Sequence, residues 1–279
     1  ISSAASDVYK RQLQNHDELT YELVHFASRH RDDDFTFRGR TTKGAQLAET
    51  IRQELTDALT GEAAPYNLVF TTNGIASTTA SVVTAALGLR DLDALTETDV
   101  ERVRRAHLLL AMFNALQPGV FALSGWDLVG ALPVPVDDIA ELVREGDTRW
   151  IHRPAYDLLD VAPQASASAS GMPRARTLHG PIDAQLDDPT SFVSRLRDLL
   201  HLRGYFAIAT TRQVDVPDVA HPAMLVMVHA YEQVPGQLQV TVLNFGEEPI
   251  SGTVISEHLE PGSGLMDMGD GSALSLIHI

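Results

Sequence analysis

The sequence has 279 residues, enough for one large domain or two ordinary ones, and its 44% hydrophobic content describes a folded globular chain. A formal net charge of −16 argues against a polyanionic partner, because phosphate recognition needs a basic face, so no nucleic acid is expected to bind. The absence of cysteine excludes disulfides and thiolate metal sites, and no apolar run reaches the roughly 18 residues of a membrane span, so no membrane partner is expected either. Zero cysteine suits the cytoplasm, the compartment expected here, without excluding export.

Ile1 to Gln12 reads ISSAASDVYKRQ, and Leu274 to Ile279 reads LSLIHI. Both resemble translated sequencing-adapter read-through. Residues 1–12 and 272–279 are therefore read as a non-native leader and tail, and Leu13 as lying inside a longer parent chain. Next comes Asn15-His16-Asp17-Glu18, a His and two carboxylates side by side, in text that fits a strand end and a polar turn. Arg29 to Lys43 is dense in charge and reads as a solvated loop. His25, His30 and Asp32 to Asp34 fit no zinc spacing, so no metal site is expected.

Gln46 to Leu59 has apolar residues at helical spacing, and Gly61 ends it. Tyr66 to Thr71 reads as a short strand before an Asn73-Gly74 turn. Ile75 to Leu87 is small and apolar, and pattern alone leaves helix and buried loop open. Asp99 to Leu116 is the clearest helix, with Thr98 and Glu101 as a capping box and Gln117-Pro118-Gly119 as its stop. Val120 to Leu123 reads as a strand buried on both faces, followed by Ser124-Gly125-Trp126-Asp127. Helix, tight turn, strand and polar loop make one unit of an α/β fold, in which function gathers at the strand's C-terminal end.

Pro133 to Asp160 is irregular and holds Trp150, His152, Arg153 and Tyr156, which could line a substrate mouth; Gln164 to Gly171 is a low-complexity loop. Asp188-Pro189 opens a helix as N-cap and first residue. Beyond Gly204 come strand-like Met224 to His229, Leu238 to Phe245 and Gly252 to Ile255, broken by Pro235-Gly236 and Glu247-Glu248-Pro249 turns. Residues 13–204 thus read as an α/β part and 205–271 as an all-β sandwich.

Asn15-His16-Asp17 after a strand resembles the motif that ends the seventh barrel strand in the α-amylase superfamily of glycoside hydrolases. The longer Asn15-His16-Asp17-Glu18-Leu19-Thr20, with Glu22, is similar to the trehalose synthase branch. The ordered set of buried helix, Pro118-Gly119, apolar strand, Gly125-Trp126-Asp127, the helix from Asp188 and Val242-Leu243-Asn244-Phe245 supports it over residues 13–271. The resemblance implies the C-terminal part of a (β/α)8 TIM barrel, strands 7 and 8 with their helices and loops, followed by a β-sandwich.

It also implies chemistry. Retaining glycoside cleavage uses two carboxyl groups, a nucleophile and an acid/base, and further contacts to sugar hydroxyls tighten as the ring flattens. In the family the nucleophile and acid/base sit on the fourth and fifth strands, upstream of this motif. Asp17 is then the transition-state stabiliser, and His16, Asn15, Glu18, Trp126 and Asp127 are substrate-binding. The parent would interconvert maltose and trehalose by intramolecular glucosyl transfer, and this piece alone would be inactive. The expected partner is a small oligosaccharide. No cofactor is expected here, calcium being conceivable only in the rest of the parent.

Two stretches depart from the pattern. Residues 25–43 do not continue as in trehalose synthases, and Trp126-Asp127 stands where a Gly-Asp-Glu-like string is usual. Hydrolysis of an α-glucan or α-glucoside therefore stays open, as does a non-catalytic sugar-binding protein with a degenerate barrel.

Overall fold

The structure, a computed structural model, describes residues 10–13, 16–21, 23–260 and 264–274. In chain order its strands are β1 (Lys10–Gln12), β2 (Leu19–Thr20), β3 (Asp34–Phe37), β4 (Arg40–Lys43), β5 (Leu68–Thr71), β6 (Gly74–Ala76), β7 (Val120–Ala122), β8 (Thr211–Asp215), β9 (Met224–Tyr231), β10 (Leu238–Asn244), β11 (Leu265–Met266) and β12 (Ala273–Leu274). The helices are α1 (Val24–Arg29), α2 (Gly44–Leu59), α3 (Thr79–Ala86), α4 (Glu97–Ala115), α5 (Gly125–Val129), α6 (Ala140–Val143), α7 (Ile182–Leu186) and α8 (Phe192–Tyr205). The chain is thus mixed helix and sheet, and every sheet among the described residues is antiparallel apart from the β1–β7 pair. No described helix is long and apolar enough to cross a membrane.

Two compact units divide the chain. One draws on Gln14–His107 and Leu123–Asp188, the other on Ile1–Leu13, Leu108–Ala122 and Pro189–Ile279. This differs from a boundary at 204/205, because Leu108–Ala122 and the helix α8 fall in the same unit as the C-terminal strands.

In the first unit, β2, β6 and β5 form a three-stranded sheet in the order β2-β6-β5. Two apolar clusters flank it: Tyr21, Leu59, Ala64, Ile75 and Ala85 make one, and Ala76, Val129, Ala131, Val134, Ile139, Ile151 and Ala175 make the other. The ambiguous stretch after Ile75 resolves at Thr78. Its hydroxyl accepts from the Ser81 amide at 3.1 Å, the Ser81 hydroxyl accepts from the Thr78 amide at 3.0 Å, and α3 starts behind this capping box.

Residues 29–43 correct the expectation of a solvated loop. They hold the β3–β4 hairpin, with Phe35 opposite Thr42, and Phe35 packs tilted against Phe26 of α1 with ring centroids 5.1 Å apart. The two turn residues, Arg38 and Gly39, have φ of 51° and 75°, the left-handed pair that a two-residue hairpin turn requires and glycine eases. Helix α4 is also capped two residues earlier than expected. The Thr96 hydroxyl accepts from the Asp99 amide at 3.2 Å, and Asp99 accepts from the Thr96 amide at 3.0 Å; Thr98 and Glu101 lie inside the helix.

In the second unit, β1 pairs in parallel with β7, Lys10 opposite Val120 and Gln12 opposite Ala122. The end of the stretch read as a leader is therefore strand. Val120 is 51% exposed, so β7 is not buried on both faces; no second layer covers that side chain among the described residues. Arg203 of α8 is buried and donates to the carbonyls of Ala115, Gln117 and Gly119, satisfying acceptors that the end of α4 leaves open. Helix α8 starts at Phe192, not Pro189: Ser191 is its N-cap, accepting from the Ser194 amide at 3.2 Å, because Asp188-Pro189 is occupied by the turn that leaves α7.

The C-terminal β region is a meander, order β10-β9-β8, with Leu238 opposite Ala230 and Asn244 opposite Met224, plus the β11–β12 pair. The C-terminal part is thus sheet-rich among the described residues, and Gly252 to Ile255, expected as a strand, is irregular.

Candidate functional site

The His16-Asp17-Glu18 stretch lies in the first unit, just before β2. Leu19 pairs with Ile75 and Thr20 with Gly74 of β6. A Cβ on Gly74 would lie 2.9 Å from Glu18 Cγ and 3.0 Å from the Leu19 carbonyl, so only glycine permits this approach. On the other flank, the 3-10 turn Thr148–His152 docks on the same sheet: the Thr148 hydroxyl donates to the Val69 carbonyl at 3.2 Å, and Ile151 and His152 are buried. That turn delivers Arg149 and Arg153 to the carboxylates.

Arg149 is the centre of the charge network. Its Nε and Nη2 donate to the two oxygens of Asp147 at 2.8 and 3.0 Å, a forked pairing. Its guanidinium sits 4.3 Å from the centroid of the Phe70 ring. The remaining Nη1 faces Asp17 Oδ1 at 3.4 Å and Glu18 Oε2 at 3.6 Å. Hydrogen bonding from Arg149 holds the Asp147 carboxyl below the usual carboxylate range, and the same bond raises Arg149 in turn.

Arg153 fixes the backbone beside it. Its Nε donates to the His16 carbonyl at 2.7 Å, and its guanidinium lies 5.4 Å from the Trp150 ring centroid. His152 Nε2 faces the same carbonyl at 3.4 Å; burial pushes this imidazole down to about 4, so it is neutral near pH 7.

What stays open to solvent is the imidazole of His16, 77% exposed, beside the half-exposed carboxylate of Asp17, with His16 Nε2 to Asp17 Oδ2 at 3.6 Å. A ring that can donate or accept, next to an acceptor-only carboxylate, can hold neighbouring hydroxyl groups. Asn15 lies outside the described residues, as does Glu22.

The other two expected contacts sit elsewhere in the unit. Asp127 is 1% exposed and wholly engaged: Oδ2 accepts from the Ser124 amide at 3.2 Å and hydroxyl at 2.9 Å, and Oδ1 pairs with His107 Nε2 at 3.2 Å. His107 Nδ1 in turn meets His179 Nε2 at 3.1 Å. Burial, then the neighbouring His107, drives the His179 imidazole well below its ordinary range. Trp126 packs into the apolar cluster, edge-on to Tyr156 at 5.9 Å. Both residues therefore shape the loop after Ser124 from within, and the structure does not bring them to His16 through any hydrogen bond or ion pair.

Arg149, Asp147 and Phe70 are the members of the site that the sequence does not single out. The one local signal is the spacing Asp147-Thr148-Arg149, an acid and a base two residues apart across a turn. Among the described residues no group of three His, Asp or Glu side chains could hold a metal ion. No protein-family profile and no curated protein matches the chain.

Proposed function

We propose that this chain is the sugar-holding portion of a retaining α-glucoside-active enzyme of the trehalose synthase type. Asp17 acts as stabiliser of an oxocarbenium-like transition state and His16 as its hydroxyl-binding neighbour. The observation that carries the reading is the His16–Asp17 pair, 77% and 48% exposed, with Arg149 facing the Asp17 carboxylate and Arg153 bonded to the His16 carbonyl. The neutral-polyol chemistry of such a pair agrees with the net charge of −16, which disfavours a phosphorylated substrate.

The barrel belongs to the same proposal. Helix α4 leading into β7, and the parallel register of β1 with β7, support a reading of these strands as adjacent members of a (β/α)8 barrel, in which Lys10–Gln12 belongs to the barrel and not to a leader. Glu18, 16% exposed, backs the pair, and Trp126 and Asp127 support the loop that follows β7. Asn15 completes the motif. In this reading the nucleophile and acid/base are supplied from outside the chain, which binds the sugar without turning it over.

The test is a maltose titration of the 15N-labelled chain. The reading expects millimolar binding with the largest shifts at the His16 imidazole, abolished in Asp17→Asn, and no trehalose or glucose formed. Shifts that ignore Asp17→Asn would overturn the assignment of the site. Turnover by the chain alone would overturn the placing of the nucleophile outside it.

A further inference from the structure

We infer that Arg149 is the positioning residue of this site, setting Asp17 and Glu18 as one fixed acceptor pair for the hydroxyls of a glucosyl unit. The inference rests on the glucoside reading above and deepens it. Two adjacent carboxylates repel, and free side chains would hold their charges apart in solvent. Here one guanidinium faces both, at 3.4 and 3.6 Å. It can do so reproducibly because it is itself immobilised on two other sides. Asp147 takes Nε and Nη2 in a fork, and Phe70 supplies a flat seat at 4.3 Å. Asp147 is held in turn by the Arg149 amide, which donates to it at 3.1 Å, so clamp and cation belong to one rigid turn.

The geometry leaves Nη1 as the working nitrogen and fixes its direction. A lysine cannot reproduce this. Its single ammonium cannot bond both Asp147 oxygens and still reach the two carboxylates, so the usual conservative exchange is a sharp probe. Arg149 makes no claim on the reacting atoms; it acts through Asp17 and Glu18.

Two readouts on the full chain test this. Carbodiimide-driven amidation, read by mass spectrometry, reports how accessible each carboxylate is without needing a sugar. Arg149→Gln is expected to speed labelling of Asp17 and Glu18 about threefold, the size an exposed ion pair supports, with Asp127 unchanged. Maltose binding is expected to weaken about tenfold in Arg149→Gln and nearly as much in Arg149→Lys, as a lost charge-assisted contact implies. Phe70→Leu keeps the arginine, guards against a fold-wide effect, and should move both readouts the same way by less. Unchanged labelling, or a lysine variant that binds maltose like wild type, overturns the proposal. If the wild-type chain leaves maltose unbound, the glucoside reading falls and the labelling contrast alone decides whether Arg149 sets the pair.

Discussion

Removing the Asp127 carboxylate is the most informative perturbation of the first unit, because three segments meet on it. Its oxygens accept from the Ser124 amide and hydroxyl at the start of α5 and pair with His107 of α4, which continues to His179 on the segment before α7. All three titratable side chains are buried. Asp127→Ala deletes the reciprocal partner of the Ser124 cap, worth about 1 kcal/mol. It also strands a buried imidazole without its acceptor, at about 1–3 kcal/mol. Together these come to about 2–4 kcal/mol. Asp127→Asn keeps the shape and an acceptor for the Ser124 amide, so about half that loss is expected.

The assay is well placed. The chain has two tryptophans, Trp126 and Trp150, and both pack against the apolar cluster beside Asp127, so tryptophan fluorescence in urea reports this unit. Asp127→Ala should lower the unfolding free energy by at least about 2 kcal/mol at pH 7. A loss under about 1 kcal/mol, or equal losses for alanine and asparagine, would refute the idea that the carboxylate's charge and both its oxygens matter.

Other consequences follow from the same packing. His152 is fully buried and its imidazole sits near 4 in the folded chain, against about 6.5 when unfolded. The unfolded state therefore binds the extra proton first, and stability present above pH 6.5 is lost as pH falls towards 4. About 2 kcal/mol should be gone by pH 5 from this group, and His152→Gln should flatten that part of a urea-midpoint against pH profile. Gly130 ends α5 at φ 60°, and a Cβ there would lie 2.7 Å from the His179 ring. Gly130→Ala should cost about 2 kcal/mol or more by tryptophan-monitored melting; a neutral result would mean the ring moves aside freely. In the second unit Arg203→Met leaves the Ala115, Gln117 and Gly119 carbonyls without their donor, and a loss of about 3 kcal/mol in a circular dichroism melt is expected. Wild-type stability in that variant would show that other donors cap α4.

The elements legible in the sequence were those whose signals are local. The periodicity over Gln46 to Leu59, the Asn73-Gly74 turn and the strand-like run from Met224 each correspond to an element with nearly the expected bounds. The misplaced starts share one cause. Thr98 and Thr96, or Asp188 and Ser191, are chemically equal candidates for an N-cap, and only the packed helix selects between them. The β3–β4 hairpin was hidden by its charge: Arg38-Gly39 is a turn signal, but Phe35 and Phe37 alternate with too few apolar residues to outweigh the acids and bases around them.

The candidate site divides along the same line. His16, Asp17 and Glu18 are contiguous and so could be seen together, whereas the groups that order them come from as far as 137 positions further along, where no local pattern marks them. Asp127 shows the converse hazard. An acid beside a tryptophan, after a strand, suggests a sugar contact. Yet a carboxylate preceded three residues earlier by a serine is also half of a capping box, and burial decides for the cap. The exposed pair and the buried relay thus assign different work to the acids of one unit. Asp17 is half-exposed beside His16, and Asp127 is buried under the start of α5. Substitution at Asp17 should therefore change binding at nearly constant stability, and substitution at Asp127 should change stability first.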